Sequence, residues 1–129
     1  MILADTSVWV DHLHRSDAGL VDLLEREQVL MHPHVMGELA LGRIPQRQRV
    51  LDALRGLPEA IVATDAEVFD FIALNELIGL GIGYVDAHLL AATRLTATAR
   101  LWTRDRRLLS AARRLGLDAN IEPFAGFQE

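Results

Sequence analysis

The chain has 129 residues, of which 50% are hydrophobic and 24% charged, as is typical of a globular domain. We expect a single domain over residues 1–129, because this length leaves no room for two independent cores. The formal net charge of −5 argues against a general nucleic-acid coat protein. Cysteine is absent, which excludes disulfides, thiolate metal sites and a cysteine nucleophile. All 13 basic residues are arginines, which excludes a Walker A loop and a Schiff-base lysine.

The N-terminal residues do not have the features of a secretory signal. Residues 1–5 carry no basic side chain, and their apolar run is too short for a signal peptide. The sequence contains no apolar run of the length that a membrane span needs. We therefore expect a cytoplasmic protein without a membrane segment.

Short apolar runs alternate with helical patterns along the chain. Five of these runs predict strands, at residues 2–4, 29–31, 61–63, 101–103 and 119–121. Between them, apolar residues recur at helical spacing, and residues 64–67 form a capping box that begins one of the helices. Strands that alternate with helices indicate an α/β fold with a parallel sheet covered on both faces.

Four acidic residues stand out by their positions. Asp5 follows the first strand and Asp105 the fourth, and ligands of open α/β sheets bind beyond the carboxyl ends of strands. Asp86 begins the most apolar helix, and Glu38 borders an apolar helical stripe. Taken singly, each acid has an ordinary explanation. The aspartates could be helix N-caps, and the glutamate a solvated helix residue.

Together the four acids predict a divalent-metal site. Several carboxylates at one end of a sheet repel each other unless a cation neutralises them. Oxygen ligands select hard cations such as Mg²⁺ or Mn²⁺, and these ions hold phosphates and activate a bound water. The pattern by itself does not identify a substrate.

Four segments of the sequence resemble the motifs of a known family. They are residues 1–11 (MILADTSVWVD), 32–42 (HPHVMGELALG), 83–92 (GYVDAHLLAA) and 101–108 (LWTRDRRL). In their order and spacing they resemble the acidic motifs of PIN-domain ribonuclease toxins of the VapC type. The resemblance covers essentially the whole chain.

The resemblance implies a fold and a set of site residues. The fold is a three-layer α/β/α sandwich with a parallel central sheet. The catalytic and metal-binding residues implied are Asp5, Glu38, Asp86 and Asp105. The supporting residues implied, which would orient a carboxylate or a metal-bound water, are Thr6, Ser7 and Thr103.

The resemblance also implies an activity and partners. The activity is cleavage of RNA that depends on Mg²⁺ or Mn²⁺, by a toxin of a type II toxin–antitoxin pair. The expected partners are a VapB-type antitoxin, the RNA substrate and a second copy of the chain in a homodimer. Operator DNA would be bound only through the antitoxin.

Further residues are candidates for contact with RNA. Arg104, Arg106 and Arg107 could bind phosphates, although each could equally belong to a solvated helix face. Tyr84, in a glycine-rich loop beside Asp86, is either a substrate contact or a packing residue.

Three other interpretations remain open. Two His-x-His pairs, at residues 12–14 and 32–34, are compatible with a zinc hydrolase. A receiver-like regulatory domain would also place acids at strand ends, but such domains rely on a lysine that this chain lacks. The third alternative is a catalytically silent α/β module that binds a metal or a protein.

Overall fold

The computed structural model of the protein describes residues 1–121 and has a parallel sheet at its centre. Within these residues the sheet has three strands in the order β2-β1-β3, namely β1 (Ile2–Ala4), β2 (Val29–Leu30) and β3 (Arg100–Trp102). Leu3 pairs with Leu30 on one side and with Leu101 on the other. These largely apolar strands have the character of parallel strands covered on both faces.

Seven helices within the described part of the chain flank the sheet. They are α1 (Thr6–Arg15), α2 (Ala18–Glu25), α3 (Pro33–Leu41), α4 (Arg47–Arg55), α5 (Asp65–Leu74), α6 (Tyr84–Leu95) and α7 (Arg106–Arg114). The expected capping box is present at the start of α5, where Thr64 and Glu67 bond each other's backbone N–H groups. Among residues 1–121, no helix combines the length and apolar character needed to cross a membrane. The architecture is the α/β sandwich that the sequence predicts.

The prediction of a third strand at residues 61–63 is wrong. The chain forms only an isolated parallel bridge between Met31 and Glu59, before the predicted segment. The Ile61 N–H then donates to Thr96 Oγ1 at 2.8 Å, which directs the backbone to α6 instead of to a strand. The backbone N–H of Ile61 is thus bonded to a side chain and does not pair with a strand.

The fifth predicted strand, residues 119–121, does not form either. Asp118 makes an isolated parallel bridge with Leu101, and the Ala119 N–H donates to the Leu101 carbonyl at 2.9 Å. Asn120 has a φ of 56°, in the left-handed region, which ends the extended backbone. Among residues 1–121, the outer edge of β3 is therefore covered by a single bridge.

The core fixes the ends of β1 and β3 beside each other. Leu3 and Leu101 are fully buried, as are Val8 of α1, Leu90 of α6 and Leu108 of α7. Each such side chain contributes about 1.5–3 kcal/mol through burial. Because parallel strands point the same way, the residues that follow them meet at one edge of the sheet. That edge carries the candidate site.

Candidate active site

Asp5 is a buried carboxylate at the carboxyl end of β1. Its Oδ1 accepts hydrogen bonds from the backbone N–H groups of Ser7 (2.9 Å) and Val8 (3.3 Å), so it caps α1. Its Oδ2 accepts a hydrogen bond from Thr103 Oγ1 at 2.5 Å. Burial raises the pKa of Asp5, and the hydrogen bonds from Ser7 and Thr103 oppose that rise. The Asp5 carboxylate is thus buried and held in one orientation.

Two hydroxyl groups hold Asp5 in place from opposite sides. Ser7 Oγ donates to Asp5 Oδ1 at 2.5 Å and accepts the backbone N–H of Arg104 at 3.0 Å. Thr103 Oγ1 likewise donates to Asp5 and accepts the N–H of Asp105 at 3.0 Å. Because each hydroxyl oxygen accepts a backbone N–H, its own proton is directed at Asp5. The loop after β3 therefore orients the carboxylate after β1.

Glu38 reaches this edge of the sheet from α3. Its Oε1 accepts a hydrogen bond from Thr6 Oγ1 at 2.5 Å, which connects α3 with the first residue of α1. Glu38 is exposed, whereas Asp5 is buried. The second carboxylate of the candidate site is therefore accessible from solvent.

Asp86 interacts electrostatically with two of the other acids. Its Oδ2 accepts the backbone N–H of Gly83 at 3.1 Å, which closes the first turn of α6. Burial raises the pKa of Asp86, and the negative charges of Asp105 and Glu38 raise it further. Asp105 itself caps α7, because its Oδ1 accepts the N–H of Leu108 at 2.9 Å. The fold thus brings Glu38, Asp86 and Asp105 into electrostatic contact.

The chemistry of these donors suits a hard cation. All are carboxylate oxygens, and the mutual repulsion at Asp86 is the kind that a bound cation offsets. As the side chains stand within residues 1–121, however, no three acidic or histidine side chains form a ready-made metal site. Binding of an ion would therefore require the side chains to turn towards one another.

The three candidate arginines have different surroundings. Arg104 pairs with Asp11 at 2.7 Å and with Asp17, and its guanidinium lies over the Trp102 ring at 5.4 Å from the centroid. Arg106 and Arg107 are exposed in the first turn of α7. Arg107 packs against Gly81, where a Cβ would come within 2.7 Å of its Nη1. Arg104 therefore has a structural function, whereas Arg106 and Arg107 present charge to solvent.

The structure also reveals an acid that sequence reasoning missed. Asp65 Oδ1 accepts a hydrogen bond from the Tyr84 hydroxyl at 2.5 Å and lies 3.0 Å from His88 Nε2. The hydrogen bonds from Tyr84 and His88 lower the pKa of Asp65, and the Asp65 contact raises that of Tyr84 to about 12. The sequence marks Asp65 only as part of a capping box. Its partners lie 19 and 23 residues away, so no local signal could have found them.

The His-x-His pairs are part of local structure. His32 Nδ1 accepts the N–H of His34 at 3.0 Å and so caps α3, while His12 Nδ1 accepts the N–H of Asp17 at 3.0 Å. The His34 ring lies against the His88 ring, with centroids 4.5 Å apart. Burial lowers the pKa of His32 to about 4, with further contributions from His34 and His88. Neither pair belongs to a metal site in the described residues.

Comparison with known proteins identifies the family. The model of the PIN domain family matches residues 2–114. The chain belongs to the PIN domain family. This PIN-domain protein is also similar to two curated proteins named Ribonuclease VapC32, from Mycobacterium tuberculosis strains CDC 1551 / Oshkosh and ATCC 25618 / H37Rv. It is 49% identical to each over 117 residues, which cover 91% of this chain and 94% of the relative. These matches confirm the VapC-type resemblance seen in the four motifs.

Proposed function

We propose that this PIN-domain protein is a metal-dependent endoribonuclease and the toxin of a type II toxin–antitoxin pair. The observation that carries the proposal is that the fold gathers Asp86, Asp105 and Glu38 at one edge of the sheet, close enough for the charges of Asp105 and Glu38 to raise the pKa of Asp86 beyond the effect of burial. A group of acids that destabilise one another at a strand edge is typical of a functional site. The name of the relatives, Ribonuclease VapC32, supports RNA as the substrate class.

Each of the four acids has a proposed role at the metal. Asp5 and Asp86 are the direct ligands of Mg²⁺ or Mn²⁺, and Glu38 and Asp105 complete the site, directly or through water. A metal held by these acids would supply Lewis-acid polarisation of the phosphodiester and a water of lowered pKa. The hydroxyls of Ser7 and Thr103 keep the Asp5 carboxylate in one orientation, and Thr6 holds Glu38.

The arginines after β3 are proposed to bind the RNA backbone. A guanidinium matches the two oxygens of a phosphate by paired hydrogen bonds. Arg106 and Arg107 are exposed and directly follow Asp105, so they are available beside the acids. Arg104 would first have to exchange its ion pairs with Asp11 and Asp17.

The proposed partners and location follow from the same assignment. A VapB-type antitoxin would cover the acidic residues and place a basic side chain among them. We also propose a homodimer, contact with operator DNA only through the antitoxin, and a cytoplasmic location where RNA is accessible. Contact of a co-expressed antitoxin with Glu38 and Asp86 is the expected result of cross-linking or of a complex structure.

The activity is tested by sequencing RNA ends after brief induction. Wild-type protein should produce new 5′ ends, and Asp5→Asn or Asp86→Asn should lower cleavage by at least about 100-fold, because the lost ligand supplies several kcal/mol. Asp22→Asn, an exposed acid of α2 that pairs with Arg26, should cleave like the wild type. Calorimetry with Mg²⁺ and Mn²⁺ should show binding that both site variants lose.

Two results would contradict the proposal. Undiminished cleavage by folded Asp5→Asn protein would exclude the mechanism. Metal binding that disappears in the variants, without any cleavage by the wild type, would instead support the catalytically silent binding module.

A further inference from the structure

Two aromatic side chains are exposed together at the junction of α5 and α6. Phe69 is 63% exposed and Tyr84 is 43% exposed. Their rings meet edge to face, with centroids 5.9 Å apart and an interplanar angle of 63°. Water contact at a large aromatic surface is unfavourable, so an exposed pair of this kind is typical of a binding surface.

The aromatic pair lies close to the candidate active site. Tyr84, the first residue of α6, packs against His88, and the His88 ring lies with its centroid 4.5 Å from that of His34, which is one turn before Glu38 on α3. Phe69 lies one turn after Asp65 on α5, on the same face. A ligand that reached from Glu38 past His34 would meet Tyr84 and then Phe69.

The Tyr84 ring is held in position by other side chains. Its hydroxyl donates to Asp65 Oδ1, and its ring packs at 90° against His88 with centroids 4.8 Å apart. His88 is only 3% exposed and is itself placed between Asp65 and the His34 ring. Little conformational entropy remains for Tyr84 to lose when a ligand stacks on it.

The charge around the pair selects the kind of ligand. Asp65, Glu67 and Asp70 share α5 with Phe69, and that helix has no lysine or arginine, so the aromatic pair itself is not a phosphate site. The face of a nucleobase is uncharged and stacks well on aromatic rings. A second copy of the chain, seated across a two-fold axis, would bring this acidic segment against itself. An unpaired base is therefore the ligand that fits.

We infer that Phe69 and Tyr84 form a stacking site for an unpaired base of the RNA strand, adjacent to the bond that is cleaved. The inference rests on the proposed ribonuclease function. It assigns substrate selection to base stacking on α5 and α6, and phosphate binding to the arginines of α7. Single-stranded or looped RNA is then the preferred substrate, since only unpaired bases can be splayed onto aromatic rings.

Binding of two probes to the inactive full-length Asp5→Asn protein tests this inference. The probes are fluorescein-labelled oligoadenylate of 12 nucleotides and an abasic ribose-phosphate strand of the same length, measured by anisotropy in Mg²⁺. Phe69→Ala and Tyr84→Ala should each weaken oligoadenylate binding by about five- to a hundredfold. Neither substitution should change binding of the abasic strand. Tyr84→Phe, which keeps the ring, should bind oligoadenylate almost as the parent does.

Leu74→Ala is the matched control, because Leu74 is an apolar side chain of the same helix that is 81% exposed. It should leave both affinities unchanged. Equal losses on the two probes, or no loss with Phe69→Ala, would overturn the inference. So would an oligomeric state that Phe69→Ala alters while oligoadenylate affinity stays the same, since the pair would then be a protein interface. Cleavage by wild-type protein is scored separately, so failure of stacking leaves the ribonuclease proposal standing.

Discussion

At the scale of single residues, Asp5 is held at both of its carboxylate oxygens. Its Oδ1 caps α1, as an ordinary N-cap does, while its Oδ2 is held by Thr103 from the end of β3. A cap requires only one carboxylate oxygen, so the hydroxyl groups of Ser7 and Thr103 hold Asp5 more firmly than capping alone needs. The side chain that begins the helix is therefore available as a positioned metal ligand.

The hydroxyls that orient Asp5 provide the first prediction. Ser7→Ala or Thr103→Val should lower the affinity for Mn²⁺ by about 10- to 100-fold, because groups that orient a ligand carry this much of the affinity. Each change removes a hydrogen bond from Asp5 and leaves a backbone N–H without its acceptor. Calorimetry measures the affinity, with Ser110→Ala on the exposed side of α7 as control. Unchanged affinity in both variants would exclude the orienting role.

The raised pKa of Asp86 provides the second prediction. Between its ordinary pKa and the raised value, the folded protein binds more protons than the unfolded chain, so the free energy of unfolding falls as pH rises through that interval. Asp86→Asn removes the free-energy cost of ionising this carboxyl group in the folded protein, and it should therefore raise the Tm of metal-free protein at neutral pH. The gain should vanish at about pH 3, where both states are protonated.

Thermal unfolding in EDTA at the two pH values checks this expectation. Asp70→Asn, an exposed acid of α5, is the control and should show no pH-dependent gain. If Asp86→Asn had a lower Tm than the wild type at neutral pH, the ionised Asp86 carboxylate would not be destabilising the folded protein.

At the scale of elements, polar residues directly before the helices decide where several of them begin. Asp5 and Asp105 cap α1 and α7, Thr64 caps α5, and His32 caps α3 through its ring nitrogen. These starts could be predicted, since capping preferences act within a few residues. The failed strand at residues 61–63 could not be, because its backbone donor is taken by a side chain of another helix.

Arg104 joins three elements and provides the third prediction. It connects the end of β3 with Asp11 of α1 and with Asp17 at the start of α2, and it is mostly buried. Arg104→Gln should lower the free energy of unfolding by about 1–3 kcal/mol, because it leaves Asp17 without its charge partner. Denaturant unfolding measures this loss, and Arg55→Gln, in an exposed pair with Asp52, is the control. A variant that lost RNA affinity but no stability would reverse this assignment.

At the scale of the whole molecule, charge is unevenly distributed along a chain of net charge −5. Every Asp, Glu, Lys or Arg within residues 59–93 is an acid, whereas residues 94–129 hold seven of the 13 basic residues. An acidic protein can thus bind RNA selectively, through a local cationic patch and a metal, while non-specific binding stays weak.

The exposed arginines of α7 provide the fourth prediction. Arg106→Gln and Arg107→Gln should each reduce the dependence of log Kd on log salt by about 0.7, as expected for loss of one phosphate contact to a single strand. Arg106→Gln should not change stability, since this side chain is exposed. Titrations of Asp5→Asn protein with oligoadenylate at several salt concentrations give the slope. The matched substitution Arg26→Gln, in α2, should leave it unaltered.

The sequence by itself determined the α/β class, the starts of α1, α3, α5 and α7, and three of the strands, whereas α6 begins at Tyr84 and not at Asp86. It also singled out Asp5, Glu38, Asp86 and Asp105, because periodicity, caps and strand ends are local properties that a few neighbouring residues encode. Only the tertiary structure decided that Thr103 holds Asp5 across 98 residues, and that Asp65 fixes Tyr84 and His88. Such contacts depend on which elements pack together, and the conformational preferences of neighbouring residues do not encode that packing.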